Sequence, residues 1–441
     1  MPNLEVELYG RRIGQLAEGR NTFDFEVDSG AIEHFGIGSS ILSVAVPLIS
    51  SPRRGEGKIR RNFFDELLPE GRARTRLAGN ATIAPDYTLG MLARYGRDVA
   101  GALKIWDPTA AGEPREPRFE EVTPARVREI LEDVARAPIG NTSVRRMSSL
   151  AGVQDKIVMV RTGDGTWAEP FYGYASTHII KPVVAAHPTL IFDEEYGARI
   201  ARLLRLSRTG TQIETFAGVS ALVIERYDRS PDTPDRRLHQ EDFNQALGFT
   251  GDAKYEANGH SGLASIAKTV RAEAGMNSVQ ELLRLTTLSI AVGNYDMHAK
   301  NISLLHLPDG EARLAPAYDI VPQTHIEGLD PDFAFTINGH SAFEDITIEH
   351  LVSEGQSWGV RGASTIVERT VQSILDVISE ETPLSGAHHG LTHDIRRICG
   401  NLLDGRGAGA SANGVTVPRR ERGTPGPLHE SPGGWGGPVP R

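Results

Sequence analysis

The sequence predicts an α+β fold with a β-rich N-terminal part, a small mixed lobe and a mainly helical C-terminal lobe. Three observations carry this. The first fifty residues break into short β-like pieces separated by turns, namely LEVELYG, RRIGQLA, NTFDFEV and ILSVAVPLIS. Between 116 and 229, β-branched runs such as KIVMVRT and THIIKPV alternate with two helical stretches. From QEDFNQALG onward the pattern is mostly helical.

Taken in order, ILSVAVPLIS is too apolar for an exposed edge strand and is expected to face a core. FFDELLPEGRARTRLAG (63–79) and PDYTLGMLARYG (85–96) carry helical spacing with Gly or Pro at their edges, and GALKIW reads as a strand. The Pro-, Gly- and acid-rich stretch 107–124 reads as a linker, which puts a domain boundary near 115. PARVREILEDVARAP is an amphipathic helix with Thr123 as cap and Pro124 in the first turn. LAGVQDKIVMVRT runs from a glycine turn into a strand, and THIIKPV forms another that ends near Lys181. TLIFDEEYGARIARLLRLS is a helix with Glu194 and Glu195 in its early turns, and ETFAGVSALVIERYDRS a hairpin that stays apolar until Glu225. In NISLLHLPDGEARLAP the turn is made by Pro308, Asp309 and Gly310. Residues 405–441, with ten Gly and six Pro, are expected to be disordered. The expected segments are therefore 1–115, 116–229, 230–404 and the tail.

Composition narrows the function. The 441 residues, 39% hydrophobic, suffice for a large core in more than one domain. Net charge is −10, only seven of the 47 basic residues are lysines, and no Lys/Arg run suggests direct nucleic-acid binding. The single cysteine, Cys399, excludes an intramolecular disulfide framework and any multi-cysteine metal site. A reducing compartment, the cytoplasm, is expected. The opening residues carry no signal-peptide pattern, and no apolar run approaches the roughly 20 residues that span a bilayer, so membrane insertion is not expected.

The chemistry concentrates in NYDMHAKN, 294–301, which ends a long apolar helical run and places Asp296 five residues before Asn301. That offset matches the HRDxxxxN loop of protein kinases, in which the Asp orients the attacking hydroxyl and the Asn holds magnesium. A further acid, Asp319, follows the hairpin. Taken singly, such residues are ordinary turn formers; together with the helix stop at Gly293 and Asn294 they suit phosphoryl transfer, where hard metal ions neutralise phosphate charge. His298 and Lys300 lie in the same loop, as candidate partners of the Asp or of the transferred phosphoryl group. SSLAGVQDK, 148–156, is a candidate phosphate-cradling loop, although its one glycine also suits an ordinary tight turn. Lys181, held extended by Pro182, could reach phosphates while pairing with Glu194 or Glu195, or could simply snorkel. Glu225, Arg226 and Tyr227 end an apolar strand where kinases place the adenine-reading hinge. His388, His389 and His393 lack the acid or cysteine pattern of a metal site, and Cys399 reads as an ordinary helix residue.

The ordered series FFDELLPEGR, YGRDVAGAL, SSLAGVQDK, THIIKP, VIERYDR, HQEDFNQALG, GNYDMHAKNISLL and LAPAYDIVP resembles the HipA family of serine/threonine kinase toxins, up to about residue 404. The resemblance implies a bilobal protein-kinase-like fold, ATP and Mg2+ as cofactors, and Asp296 as catalytic residue helped by His298 and Lys300. It implies Asn301 and Asp319 as magnesium ligands, Lys181 as the phosphate lysine, and Leu150, Ala151, Gly152, Val153, Gln154, Asp155 and Lys156 as the phosphate loop. Glu225, Arg226 and Tyr227 become the hinge, and Ser149, or its neighbour Ser148, the autophosphorylated serine that switches the kinase off. It further implies a HipB-like helix-turn-helix antitoxin, operator DNA bound through that partner, and an aminoacyl-tRNA synthetase as substrate. A catalytically weak corepressor and a kinase for a small-molecule acceptor are the alternatives.

Overall fold

The computed structural model describes residues 3–19, 22–51, 55–136 and 156–411. They fall into two compact units. One is drawn from Met1–Ala186, Thr209–Lys254 and Ala299–Pro316, the other from His187–Arg208, Tyr255–His298 and Ala317–Arg441.

The first unit is built on three sheets. Leu4–Leu8 pairs antiparallel with both Arg11–Gly19 and Leu103–Trp106, and Thr22–Val27 completes a four-stranded sheet. Leu4, Val6 and Leu8 are buried while Glu5 and Glu7 are half-buried, the period-2 pattern of a strand with one face on a core. That core is closed by Phe63, Phe64, Leu67, Leu89 and Leu92, from the helices Gly57–Asp65 and Thr88–Tyr95 and the turn after the first. The second sheet runs Arg118–Glu121, Trp167–Phe171, Ile157–Arg161, His178–Pro182, Val219–Glu225, Thr211–Phe216. Helix Pro124–Arg136 lays Val127, Ile130 and Leu131, one face at helical spacing, against Ile157, Ile180 and Val223. The third sheet is His239–Asp242, Ser303–His306 and Ala312–Leu314.

Several expectations need correction. ILSVAVPLIS forms no strand, although Ile41, Leu42, Val46 and Leu48 are buried as expected. Its backbone is committed elsewhere: Val44 N donates to Glu241 Oε1 (2.9 Å), Leu42 O meets His239 Nε2 (2.7 Å), and Ser43 Oγ accepts from Ala45 N (3.1 Å). The 63–79 stretch is two helices, Gly57–Asp65 and Gly71–Ala81. Part of the linker, Arg118–Glu121, is a strand paired with Trp167–Phe171, which the sequence reading passed over.

The motifs YGRDVAGAL and VIERYDR meet in a buried ionic cluster of this unit. Asp98 accepts from Arg237 (2.7 Å) and Arg229 (2.9 Å) and lies 4.0 Å from Arg226, while Asp228 binds Arg226 (2.6 Å) and Arg229 (3.0 Å). Burial opposes ionisation of Asp98, but the arginines outweigh it and hold its carboxyl down at about 2.

The second unit is helical: Leu190–Leu203, Gly262–Val292, Ile348–Ser357, Ala363–Glu380 and Leu391–Leu403, with a hairpin of Asp332–Ile337 and His340–Ala342. Gly262–Val292 is interrupted at Gly275, and its second half is buried on nearly every face, as a central helix must be. There Thr286 and Thr287 return their hydroxyls to Leu282 O (2.9 Å) and Leu283 O (2.8 Å), so neither leaves a buried polar group unmet. Residues 405–411, grouped by sequence with the tail, pack here: Ala408 is fully buried, its N donates to Ile346 O (2.8 Å), and Asn401 Nδ2 donates to Ala410 O (2.8 Å).

Candidate active site

Helix Gly262–Val292 is stopped by Gly293. The φ there is +72°, and a Cβ at this position would lie 2.3 Å from Thr324 Cγ2, so backbone conformation and available space both require glycine. The loop that follows is fixed by backbone and side chain alike. Gln323 N donates to Gly293 O (3.0 Å), Ala334 N to Tyr295 O (3.1 Å), and Asn294 Nδ2 to Asp319 O (3.4 Å). The last contact ties the loop carrying Asp296 to the segment carrying Asp319.

Asp296 is oriented by a residue the sequence reading missed. Tyr255 Oη donates to Asp296 Oδ1 at 2.9 Å, and the Tyr255 ring meets the His298 ring edge-on, with centroids 5.2 Å apart. His298 Nε2 lies 3.9 Å from Asp296 Oδ2, and the Asp296 side chain keeps 39% of its surface exposed. No local pattern in the sequence marks Tyr255, because its link to Asp296 spans 41 positions. Glu256 accepts from Thr336 N (2.6 Å) and Thr336 Oγ1 (3.0 Å), fixing the hairpin strand.

Asp319 has φ +57°, a left-handed conformation that costs a non-glycine residue about 1–3 kcal/mol and clusters at functional sites. Helix Leu190–Leu203 approaches the same segment so closely that a Cβ on Gly197 would lie 2.0 Å from Ile320 O. On that helix Glu195 is engaged by Arg199, Oε1 by Nε (3.1 Å) and Oε2 by Nη2 (3.0 Å).

The remaining expected residues belong to the sheet-rich unit. Lys181 is buried in strand His178–Pro182, opposite Leu222. Lys156 is half-buried at the start of the neighbouring strand; Ser148, Ser149, Leu150, Ala151, Gly152, Val153, Gln154 and Asp155 lie outside the described residues, as do residues from 412 on. At the expected hinge, Glu225 N donates to Gly210 O and Arg226 N to Thr177 O, both at 2.9 Å, so neither amide is available to a base. The Arg226 side chain serves the buried ionic cluster, and Tyr227 Oη donates to Gln240. Asn301 ends the short 3-10 turn Ala299–Asn301.

Lys300 has partners far away in the sequence. It is 8% exposed, its Nζ is 2.6 Å from Glu66 Oε2, and it also donates to Glu70. Burial works against its charge, yet Glu66, Glu70 and Asp242 outweigh it and hold the ammonium more strongly protonated than an ordinary lysine. The ammonium is thus paired with two carboxylates of the FFDELLPEGR stretch. Among the described residues, no cluster of His, Cys, Asp and Glu gathers as a metal site, and His388 stacks flat on His325 with centroids 4.1 Å apart.

Residues 148–379 match the HipA-like C-terminal domain and residues 4–106 the HipA N-terminal domain. The chain belongs to the HipA-like family. It is 31% identical over 359 residues to Y4mE of Sinorhizobium fredii, covering 77% of this chain and 84% of that protein. It is 26% identical over 399 residues, covering 84% and 89%, to the serine/threonine-protein kinase toxin HipA of Shewanella oneidensis. In fold it resembles the toxin chain of the Shewanella oneidensis complex of HipA, HipB and operator DNA, with TM-score 0.70, 24% identity, and 91% and 96% of the two chains covered. A kinase-like α+β fold and, in general terms, kinase function go with that membership. No helix among the described residues is long and apolar enough to cross a membrane.

Proposed function

We propose that this HipA-like chain is an ATP- and Mg2+-dependent serine/threonine protein kinase. The observation that carries the proposal is the partly exposed Asp296 carboxylate, oriented by Tyr255 just after a helix stop. In that role Asp296 takes the proton of an acceptor hydroxyl as its oxygen bonds to the γ-phosphorus and the bond to the leaving ADP oxygen breaks. Lys181 would steady the triphosphate. Asn301 and Asp319 offer the hard oxygen donors that Mg2+ prefers, and the metal, when bound, would neutralise phosphate charge. The target is a translation component such as an aminoacyl-tRNA synthetase, by analogy with the family. A HipB-like antitoxin is the partner, and operator DNA binds through it, in keeping with a chain of net charge −10 and no basic stripe.

Two expected results arise here. Incubation with Mg-ATP followed by mass spectrometry places phosphate on Ser149 or Ser148, where its added charge beside the triphosphate weakens ATP binding. Finding both serines unmodified in protein that phosphorylates other substrates would remove the off-switch. Tyr255→Phe keeps the ring contact with His298 but loses a hydrogen bond to a charged group, about 1.5–3 kcal/mol. It lowers kcat by about 10- to 100-fold with KM for ATP little changed, and in an Asp296→Asn background it costs nothing further. An equal loss in both backgrounds would assign Tyr255 to folding alone.

A further inference from the structure

Glu66 and Glu70 lie in FFDELLPEGR, within the N-terminal domain, yet their carboxylates are spent on residues more than 180 positions away in the sequence. Glu66 is 4% exposed and accepts through Oε1 from Gly251 N and Thr250 Oγ1, both at 2.7 Å, while Oε2 holds Lys300 at 2.6 Å. Glu70 holds Lys300 as well, and its Oε2 lies 3.1 Å from Lys254 Nζ. Burial opposes the charge of Glu70, but the two lysines outweigh it and keep its carboxyl at about 2. Lys300 is the middle residue of the turn Ala299–Asn301, and the residue after the turn is tied down too, by Phe243 N to Ile302 O at 3.1 Å. Phe243 opens a short helix whose capping box is closed by Asp242 and Gln245, and Gln245 Nε2 returns to Phe63 O (3.1 Å) in the same N-terminal stretch.

The turn bearing Asn301 is thus gripped through Lys300 by two carboxylates of the N-terminal domain. An ammonium removed from water persists only with such partners, and removing one leaves the other charge uncompensated. The charge of the turn's lysine is therefore balanced in part by the domain at 4–106.

We infer that Glu66 and Glu70 are positioning residues for phosphotransfer, and that the N-terminal domain holds the turn that carries Asn301 by clamping Lys300. This rests on Asn301 acting as a magnesium ligand, the role given to it above. It assigns to FFDELLPEGR a part in the reaction itself.

The test uses the full chain with Glu66→Gln, Glu70→Gln and the double variant, beside Asp65→Asn. Asp65 is bound by Arg74 at 3.0 Å within the same segment and serves as the control for a purely structural ion pair. Two quantities are read: hydrogen exchange over residues 299–302, and the Mg2+ concentration at half-maximal phosphotransfer. The clamp predicts exchange at least about tenfold faster in the double variant. It also predicts a half-saturating Mg2+ raised about tenfold and a kcat lower by about 10- to 100-fold, with Asp65→Asn moving neither quantity. If the double variant does not fold, Glu70→Gln, which leaves Glu66 on Lys300, carries the same comparison. Unchanged exchange over 299–302 overturns the clamp whether or not the protein is a kinase. Faster exchange with unchanged Mg2+ dependence overturns its role in the reaction. Absence of transfer by the unsubstituted chain counts against the kinase reading and leaves the exchange arm to decide the clamp.

Discussion

Asp296→Asn is expected to cut phosphotransfer by about 10³-fold while nucleotide binding survives. The substitution preserves the shape of the side chain, so an amide oxygen can still accept from Tyr255 Oη, now 2.9 Å from Asp296 Oδ1. What disappears is the charged oxygen that, in the proposed mechanism, takes the acceptor proton, and general-base catalysis contributes about 10²–10⁴-fold. The expected result is a fall in kcat of about 10³-fold with the Kd of Mg-ATP changed by less than about threefold. Asp319→Asn provides the contrast: on the proposed role of Asp319 as a magnesium ligand, this substitution weakens Mg-ATP binding itself. Measured by labelled transfer and calorimetry, transfer that persists undiminished in Asp296→Asn would take the proton-accepting role away from this residue.

The second large effect is on stability. Asp98 is fully buried and, with Asp228, balances the guanidiniums of Arg226, Arg229 and Arg237. Replacing it with Asn leaves three buried cations against one carboxylate, and breaking a buried pair in this way costs about 3–5 kcal/mol. Already in the intact cluster, burial and the neighbouring Arg226 push the Arg229 guanidinium down to about 9. The pH dependence has a definite sign. The folded-state pKa of Asp98, about 2, lies below its unfolded value of about 3.9. Its contribution is therefore fully present above about pH 4 and lost as pH falls through about 2. Urea denaturation checks both statements: Asp98→Asn should lower the midpoint strongly at pH 7 and lose much of that difference in strong acid. A cost below about 1 kcal/mol at pH 7 would mean that the cluster does not hold the sheet-rich unit together.

Local periodicity made the regular elements legible. Leu4, Val6 and Leu8 alternate with glutamates, and Val127, Ile130 and Leu131 fall on one helical face, so strand and helix follow from side-chain direction alone. The 41–50 stretch misled because its apolar residues do reach a core, but its backbone partners, Glu241 and His239, lie nearly 200 residues away. The partners of Lys300 are hidden from the sequence for the same reason. A lysine in a phosphotransfer loop suggests phosphate, and nothing local reveals that Glu66 and Glu70 already neutralise it. Tyr255 carries no motif of its own, and its link to Asp296 is a tertiary contact across 41 positions. The ordered residues of NYDMHAKN were legible because helix stop, acid and amide occur in one short span. The partners that orient them come from elsewhere in the fold.

The most direct test of the account is transfer of the γ-phosphoryl group of labelled ATP by the purified full-length chain, with and without Mg2+, in the presence of protein acceptors. The account predicts Mg2+-dependent label on protein serine or threonine that disappears in Asp296→Asn. Folded protein that leaves ATP intact at every Mg2+ concentration, or label that forms equally well without Asp296, would contradict it.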